Sequence, residues 1–178
     1  MDLQAKNFAL PVICTRGIVV FPRNEIALDV GRKKSVEAVQ VAQSDFESFI
    51  IVTSQKNPEL FDPKVDEIYD IGVIGRVKNI KKNDDGSRKV VIEALERVAL
   101  SDILDNGDYV FASARVLNDE FGDKNEEVAL VRQLVKTVEA IGNINKLLPR
   151  HIINQLSQGL SPLELGDMVA NFLPVSLE

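Results

Sequence analysis

The sequence predicts an α+β protein: a mostly antiparallel β lobe with one helix, followed by a small helical lobe. Three observations carry this expectation. Up to about residue 117 the apolar residues come mainly in short runs or strict alternation, as strands require. Two long apolar-rich runs meet at Asp85-Gly86, a hairpin signal. From residue 118 the apolar spacing becomes three and four and the punctuation becomes helical. The lobes expected are therefore residues 1–117 and 118–178.

Taken in order, Leu10, Val12 and Ile13 lead through Thr15-Arg16-Gly17 into Ile18 to Phe21, a short apolar run ended by Pro22. Ile26, Leu28 and Val30 alternate with Glu25, Ala27 and Asp29, which predicts a half-buried strand broken by Gly31. From Arg32 to about Phe46, Val36, Val39, Ala42 and Phe46 share one stripe of a helix. Phe49 to Val52 predicts a compact strand. Thr53 to Asp66, with Pro58 and Pro63, reads as a loop. Ile68 to Ile80 and Lys89 to Leu104 form the two arms of the hairpin, with Asn83 to Ser87 between them. Tyr109 to Leu117 adds a last strand after the turn Asn106-Gly107-Asp108.

In the second lobe, Asp123 with Glu126 resembles a capping box, and Val128, Val131, Leu134, Val135, Val138 and Ile141 form an apolar stripe ending at Gly142-Asn143. Pro149 opens a second short helix that carries Ile152, Ile153 and Leu156 and closes at Gly159. Ser161-Pro162-Leu163-Glu164 starts a third, with an N-cap serine, an N1 proline and an N3 acid. Leu165, Met168, Val169 and Phe172 are its expected buried face.

Composition narrows the chemistry. With 178 residues, 45% of them apolar, the chain is long enough to bury a core without staples. The lone Cys14 forms no internal disulfide, and with the lone His151 it falls short of a structural zinc site. No apolar run approaches a membrane span and the first six residues do not resemble a signal peptide, so the expected location is cytoplasmic. A net charge of -6 argues against a general binder of polyanions.

No catalytic constellation is legible. Lys34-Ser35 would end a phosphate-binding loop only with glycine at 28 and 33, where Leu28 and Lys33 stand. Arg32, Lys33 and Lys34 occupy the helix end that disfavours cations and read as a solvated face. His151 lacks a nucleophile context, and Cys14 reads as a small buried hydrophobe. Glu59, Asp62, Asp66, Glu67 and Asp70 read as a solvated acidic loop. Lys78, Lys81, Lys82, Arg88 and Lys89 form a basic hairpin without aromatic stacking partners. Apolar residues in segments expected to be exposed remain: Val19, Val20, Phe21 and Pro22 near a turn, and Leu60 and Phe61 within a polar loop. They either fold back as plugs for the core or form a surface that binds apolar segments of another protein.

Taken together, Leu10-Pro11-Val12, Arg16, Val19-Val20-Phe21-Pro22 and Val30-Gly31-Arg32-Lys33-Lys34-Ser35 resemble the opening of the Lon family of ATP-dependent serine proteases. Tyr69-Asp70-Ile71-Gly72, Asp85-Gly86 and Val91 to Val98 follow in the family's order. The resemblance is strong over residues 8 to 101 and looser over 124 to 174. Cys14 departs from it where a proline is usual, and Ala94 where a glycine is. The resemblance implies a PUA-like β lobe and a helical lobe that capture unfolded or degron-bearing proteins and support hexamer assembly for ATP-dependent proteolysis in protein quality control. It implies no catalytic residue, metal or cofactor in these residues. ATP and Mg would serve an ATPase module, and a Ser-Lys dyad a protease domain, that the family carries further on; the chain looks like an excised domain. Phe21, Pro22, Leu60 and Phe61 are the expected substrate contacts. The alternative is an RNA-binding PUA-like module using the basic hairpin Lys78 to Lys89, although the net charge of -6 argues against nucleic acid as a partner.

Overall fold

A computed structural model describes residues 7–120, 122–145 and 161–172, with main chain alone for 141–145 and 172. The chain divides into two compact units between Leu117 and Asn118. The first holds six strands and one helix: β1 (Phe8–Thr15), β2 (Glu25–Val30), α1 (Lys33–Asp45), β3 (Phe49–Gln55), β4 (Ile68–Lys82), β5 (Arg88–Asp105) and β6 (Val110–Val116). A 3-10 turn, Val65–Glu67, precedes β4. The α+β class and the mostly antiparallel sheet are as expected; only β1 and β3 run parallel among the described pairings.

The sheet order is β2-β5-β4-β3-β1-β6, and β6 pairs again with β5. β5, β4, β3, β1 and β6 thus close a ring of strands, in which each of the five has a neighbour on both sides over part of its length. β5 serves three neighbours because it is 18 residues long: Arg88 to Glu93 pair with β2, and Val98 to Asp105 pair with β6. β2 stands outside the ring, paired with β5.

Two apolar clusters explain the sequence pattern. Ile50 and Val52 of β3 join Leu28, Val30, Ala38, Val39, Ala42, Val73, Val90 and Ile92 in one. Phe49 and Ile51 join Leu10, Val12, Ile74, Val98, Leu100 and Ala112 in the other. β3 is covered on both faces, which is why Phe49 to Val52 is an unbroken apolar run and not an alternating one. α1 covers the first cluster with Ala38, Val39 and Ala42.

The structure corrects several boundaries. The apolar run Ile18 to Phe21 has no strand structure. β3 continues through Thr53, Ser54 and Gln55, all buried, because their side chains find internal partners. The hairpin arms extend to Lys82 and back to Arg88, leaving Asn83 to Ser87 as the turn; there Gly86 has φ +84 and Asp85 Oδ1 accepts the Ser87 amide.

The second unit contains α2 (Lys124–Asn145) and α3 (Pro162–Phe172). Asp123 Oδ1 accepts the amides of Asn125 and Glu126, so Asp123 caps α2. Glu127 takes the return role expected of Glu126, accepting the Gly122 amide. α2 runs past Gly142-Asn143 to Asn145, since one glycine weakens a helix by only about 1 kcal/mol. At α3, Ser161 and Glu164 form the expected reciprocal cap, the Glu164 carboxylate accepting the Ser161 amide at 3.0 Å and Ser161 Oγ accepting the Glu164 amide at 3.3 Å. Val138, Leu165 and Val169 are buried together, with Val131, Leu134, Val135 and Met168 against them. The expected helix after Pro149, and His151, lie outside the described residues.

Candidate functional site

The loop after β3 is held by a side chain with no exposed surface. Gln55 ends β3 and donates from Nε2 to the carbonyls of Asn57 (2.6 Å) and Leu60 (2.9 Å). Its Oε1 accepts from Arg32 Nη2 at 2.5 Å, and Arg32 Nη1 reaches the Cys14 carbonyl at 3.4 Å. Arg16 Nη2 adds a second donor to the Leu60 carbonyl at 3.2 Å. A buried amide leaves no donor or acceptor idle at small cost, so these bonds fix where residues 57–60 lie, and with them Phe61.

A similar network fixes the turn after β1. Ser54 Oγ donates to the Ile18 carbonyl at 2.7 Å, and Thr15 Oγ1 lies 2.5 Å from the same oxygen. Between the two pinned segments lies a cavity of about 570 Å³, lined by residues 13–16 and Ile18, by residues 27–32 of β2 and its junction with α1, and by Ser35 and Phe61. Its size falls within the usual range of ligand sites. Phe61 is 75% exposed at its rim, with Ile18 44% and the neighbouring Val19 37% exposed.

Of the four expected contacts, Phe61 is exposed, Leu60 and Phe21 are half-buried, and Pro22 is buried. Phe61 borders the cavity; Phe21, Pro22 and Leu60 are not in its lining. Sequence reasoning missed Ile18, Arg16 and Arg32. A signal for Ile18 was present, an apolar residue directly after Arg16-Gly17 in a turn.

Arg32 and Lys34 are not a free solvated face. Lys34 Nζ contacts Asp105 at 2.6 Å and Asp62 at 3.3 Å; the bond to Asp105 raises the lysine pKa and lowers that of the aspartate. Arg32 is pushed down from its ordinary value by burial first and by the Arg16 guanidinium second. Desolvation pushes the thiol of the half-buried Cys14 up to about 12, which keeps it protonated at neutral pH. In the basic hairpin, Lys78 pairs with Glu93 at 2.8 Å and Arg88 with Gln40, while Lys81, Lys82 and Lys89 are exposed. Among the described residues no three His, Cys, Asp or Glu side chains stand close enough to hold a metal ion.

A family model described as the ATP-dependent protease La (LON) substrate-binding domain matches residues 9–178. Lon protease of Escherichia coli K12 is 30% identical over 174 residues, 98% of this chain and 22% of that protein. Lon protease of Azospirillum brasilense is 34% identical over 167 residues, 94% of this chain and 20% of that protein. The chain thus spans about a fifth of the length of these relatives. Among solved structures, the N-terminal domain of Mycobacterium avium complex Lon protease superposes with a TM-score of 0.75 at 15% identity, over 94% of this chain and 83% of that one. The Lon N-terminal domain protein from Xanthomonas campestris gives 0.55 at 14% identity, over 94% and 99%. At such identities the likeness is one of fold.

Proposed function

The chain belongs to the family of the Lon substrate-binding domain, and from that premise we propose that it captures unfolded or degron-bearing polypeptides for an ATP-dependent protease. The observation that carries this reading is the exposed apolar rim of the cavity, with Phe61 75% exposed beside Ile18. An aromatic ring held into water by a pinned loop costs nothing to expose on binding and gains by being covered. Covering Phe61 contributes about 1.5–3 kcal/mol, too little for tight binding alone. Six copies in a ring, the hexamer this domain would help assemble, raise the effective concentration and make weak contacts useful. Phe21, Pro22 and Leu60 are proposed to support the Phe61 contact. The setting is cytoplasmic protein quality control, with ATP and Mg acting in the module that drives translocation.

The test is fluorescence anisotropy of the chain against a labelled permanently unfolded protein, its folded counterpart and a short single-stranded RNA, at two salt concentrations. Selective, salt-tolerant binding of the unfolded form is expected. Replacing Leu60 and Phe61 by Ser is expected to weaken it about tenfold while leaving the melting temperature nearly unchanged. Binding to RNA that collapses with salt and requires Lys81 and Lys82 would instead favour the RNA-binding reading.

A further inference from the structure

The cavity touches β2 along its edge. Ala27, Leu28, Asp29 and Val30 all line it, and consecutive residues of a strand point to opposite faces. A cavity lined by all four therefore lies beside the strand, where both faces meet. On the other side β2 pairs with β5, and among the described residues it has no second neighbour.

The main-chain groups facing the cavity follow from the ladder. Ala94 of β5 donates its amide to the Asn24 carbonyl at 2.8 Å and accepts the Arg23 amide at 2.9 Å, so Ala94 directs both groups toward β2. Alternation gives Ile92 and Val90 the same direction, opposite Ile26 and Leu28. The amides and carbonyls of Ala27 and Asp29 then point away from β5. Across the cavity, β1 stays paired with β3 through Thr15, but its pairing with β6 ends at Val12. Among the described residues the stretch from Ile13 to Thr15 has no strand neighbour on that side, and Arg32 Nη1 reaches the Cys14 carbonyl at 3.4 Å.

The lining is apolar at Ile13, Ile18, Leu28, Val30 and Phe61, and its charged members are Arg16, Arg32 and Asp29, one positive charge in excess. Among the described residues neither arginine has a carboxylate within ion-pair distance. Asp62, the acid that acts on Arg32 from nearby, is held by Lys34. Burial and the Arg16 charge both disfavour the Arg32 cation, and an incoming anion would relieve the second of these.

The geometry points to β-strand addition: an extended segment of an unfolded polypeptide pairs with the open edge of β2, sets apolar side chains against the exposed Ile18 and Phe61, and places an acidic side chain by Arg16 and Arg32. This rests on the capture reading and gives it a mode. Main-chain pairing is tolerant of sequence, which suits a domain that must accept many unfolded chains, and the side-chain pockets supply a preference.

The experiment titrates the 178-residue chain into a labelled ten-residue peptide with alternating leucines and one central aspartate. Two further peptides carry N-methyl groups on alternate amides, one in each register, and a fourth has lysine in place of the aspartate. Strand addition expects at least one N-methylated peptide to lose about tenfold or more in affinity, and the lysine peptide to bind several-fold more weakly. Ala27→Pro removes an outward amide at an exposed edge position where proline is tolerated; it is expected to weaken the parent peptide similarly. If that variant loses stability, the peptide series decides alone. Equal binding by the parent and both N-methylated peptides overturns strand addition, and if the unfolded protein still binds, capture survives without it. If neither the peptide nor the unfolded protein binds, the capture reading itself falls.

Discussion

At Gln55 one amide joins three segments: it accepts from Arg32 and donates to two carbonyls of the loop that carries Phe61. Replacing Gln55 by Leu leaves those partners unsatisfied, and a loss of about 2–4 kcal/mol in urea unfolding is expected. Faster hydrogen exchange in residues 57–61 should accompany it. Cys14 offers a second test at this scale. With the folded thiol near 12 against 9.0 for an ordinary one, its reaction with a disulfide reagent at pH 8 should be slower by about tenfold or more relative to the unfolded chain, since the loss of thiolate outweighs the higher nucleophilicity of a more basic one. The raised folded pKa contributes stability that is present below about pH 9 and lost as the pH climbs toward 12; denaturant titrations should show a shallower alkaline decline in Cys14→Ala. The apolar run before Cys14 points to a buried residue, whereas the structure leaves it half-buried in the cavity wall. The role of Gln55 was not legible, because a glutamine at the start of a polar loop carries no sign of being buried. Arg32 and Lys34 misled for a related reason: their partners, Gln55 and Asp105, lie 23 and 71 residues away.

Elements were easier to read where the signal is local. The hairpin showed through Asp85-Gly86 and the cap of α3 through Ser161 and Glu164, because turn and capping chemistry act within four residues. Ser161→Ala should cost about 1 kcal/mol, seen in the thermal unfolding of the helical unit. The sequence pattern ends β3 at Val52, since Thr53, Ser54 and Gln55 find their partners through tertiary contacts such as Thr53 Oγ1 to the Ile71 carbonyl at 2.8 Å. The same crossing of β3 and β4 sets a steric limit. A Cβ added at Gly72 would come within 2.6 Å of the Val52 carbonyl oxygen, a main-chain atom that cannot swing aside. Gly72→Ala is therefore expected to destabilise by about 1–3 kcal/mol, read as a lower melting temperature. The rim residue Ile18 belongs to a segment that periodicity could not place, because a short apolar run has no period to measure.

For the molecule as a whole, the ring of strands is complete within residues 8–116. A chain ending at Leu117 is expected to fold with native strand content by circular dichroism and to keep the affinity for the unfolded protein. A loss of that affinity would move the contact to the helical unit. The change of apolar period near residue 118 coincides with the division of the chain into two compact units. Ring closure was not readable in the sequence, since it depends on which distant strands meet. Closure has a consequence for synthesis. Phe8 pairs with Ala114, 106 positions later, so at the ribosomal rate of roughly 5–20 residues per second the Phe8 end of β1, unlike the end that meets β3, waits on the order of 5–20 s for its partner. During that interval Phe8 and Leu10 themselves belong to an unfolded apolar segment of the kind this protein is proposed to bind, and finished copies nearby would meet each new one before it could close.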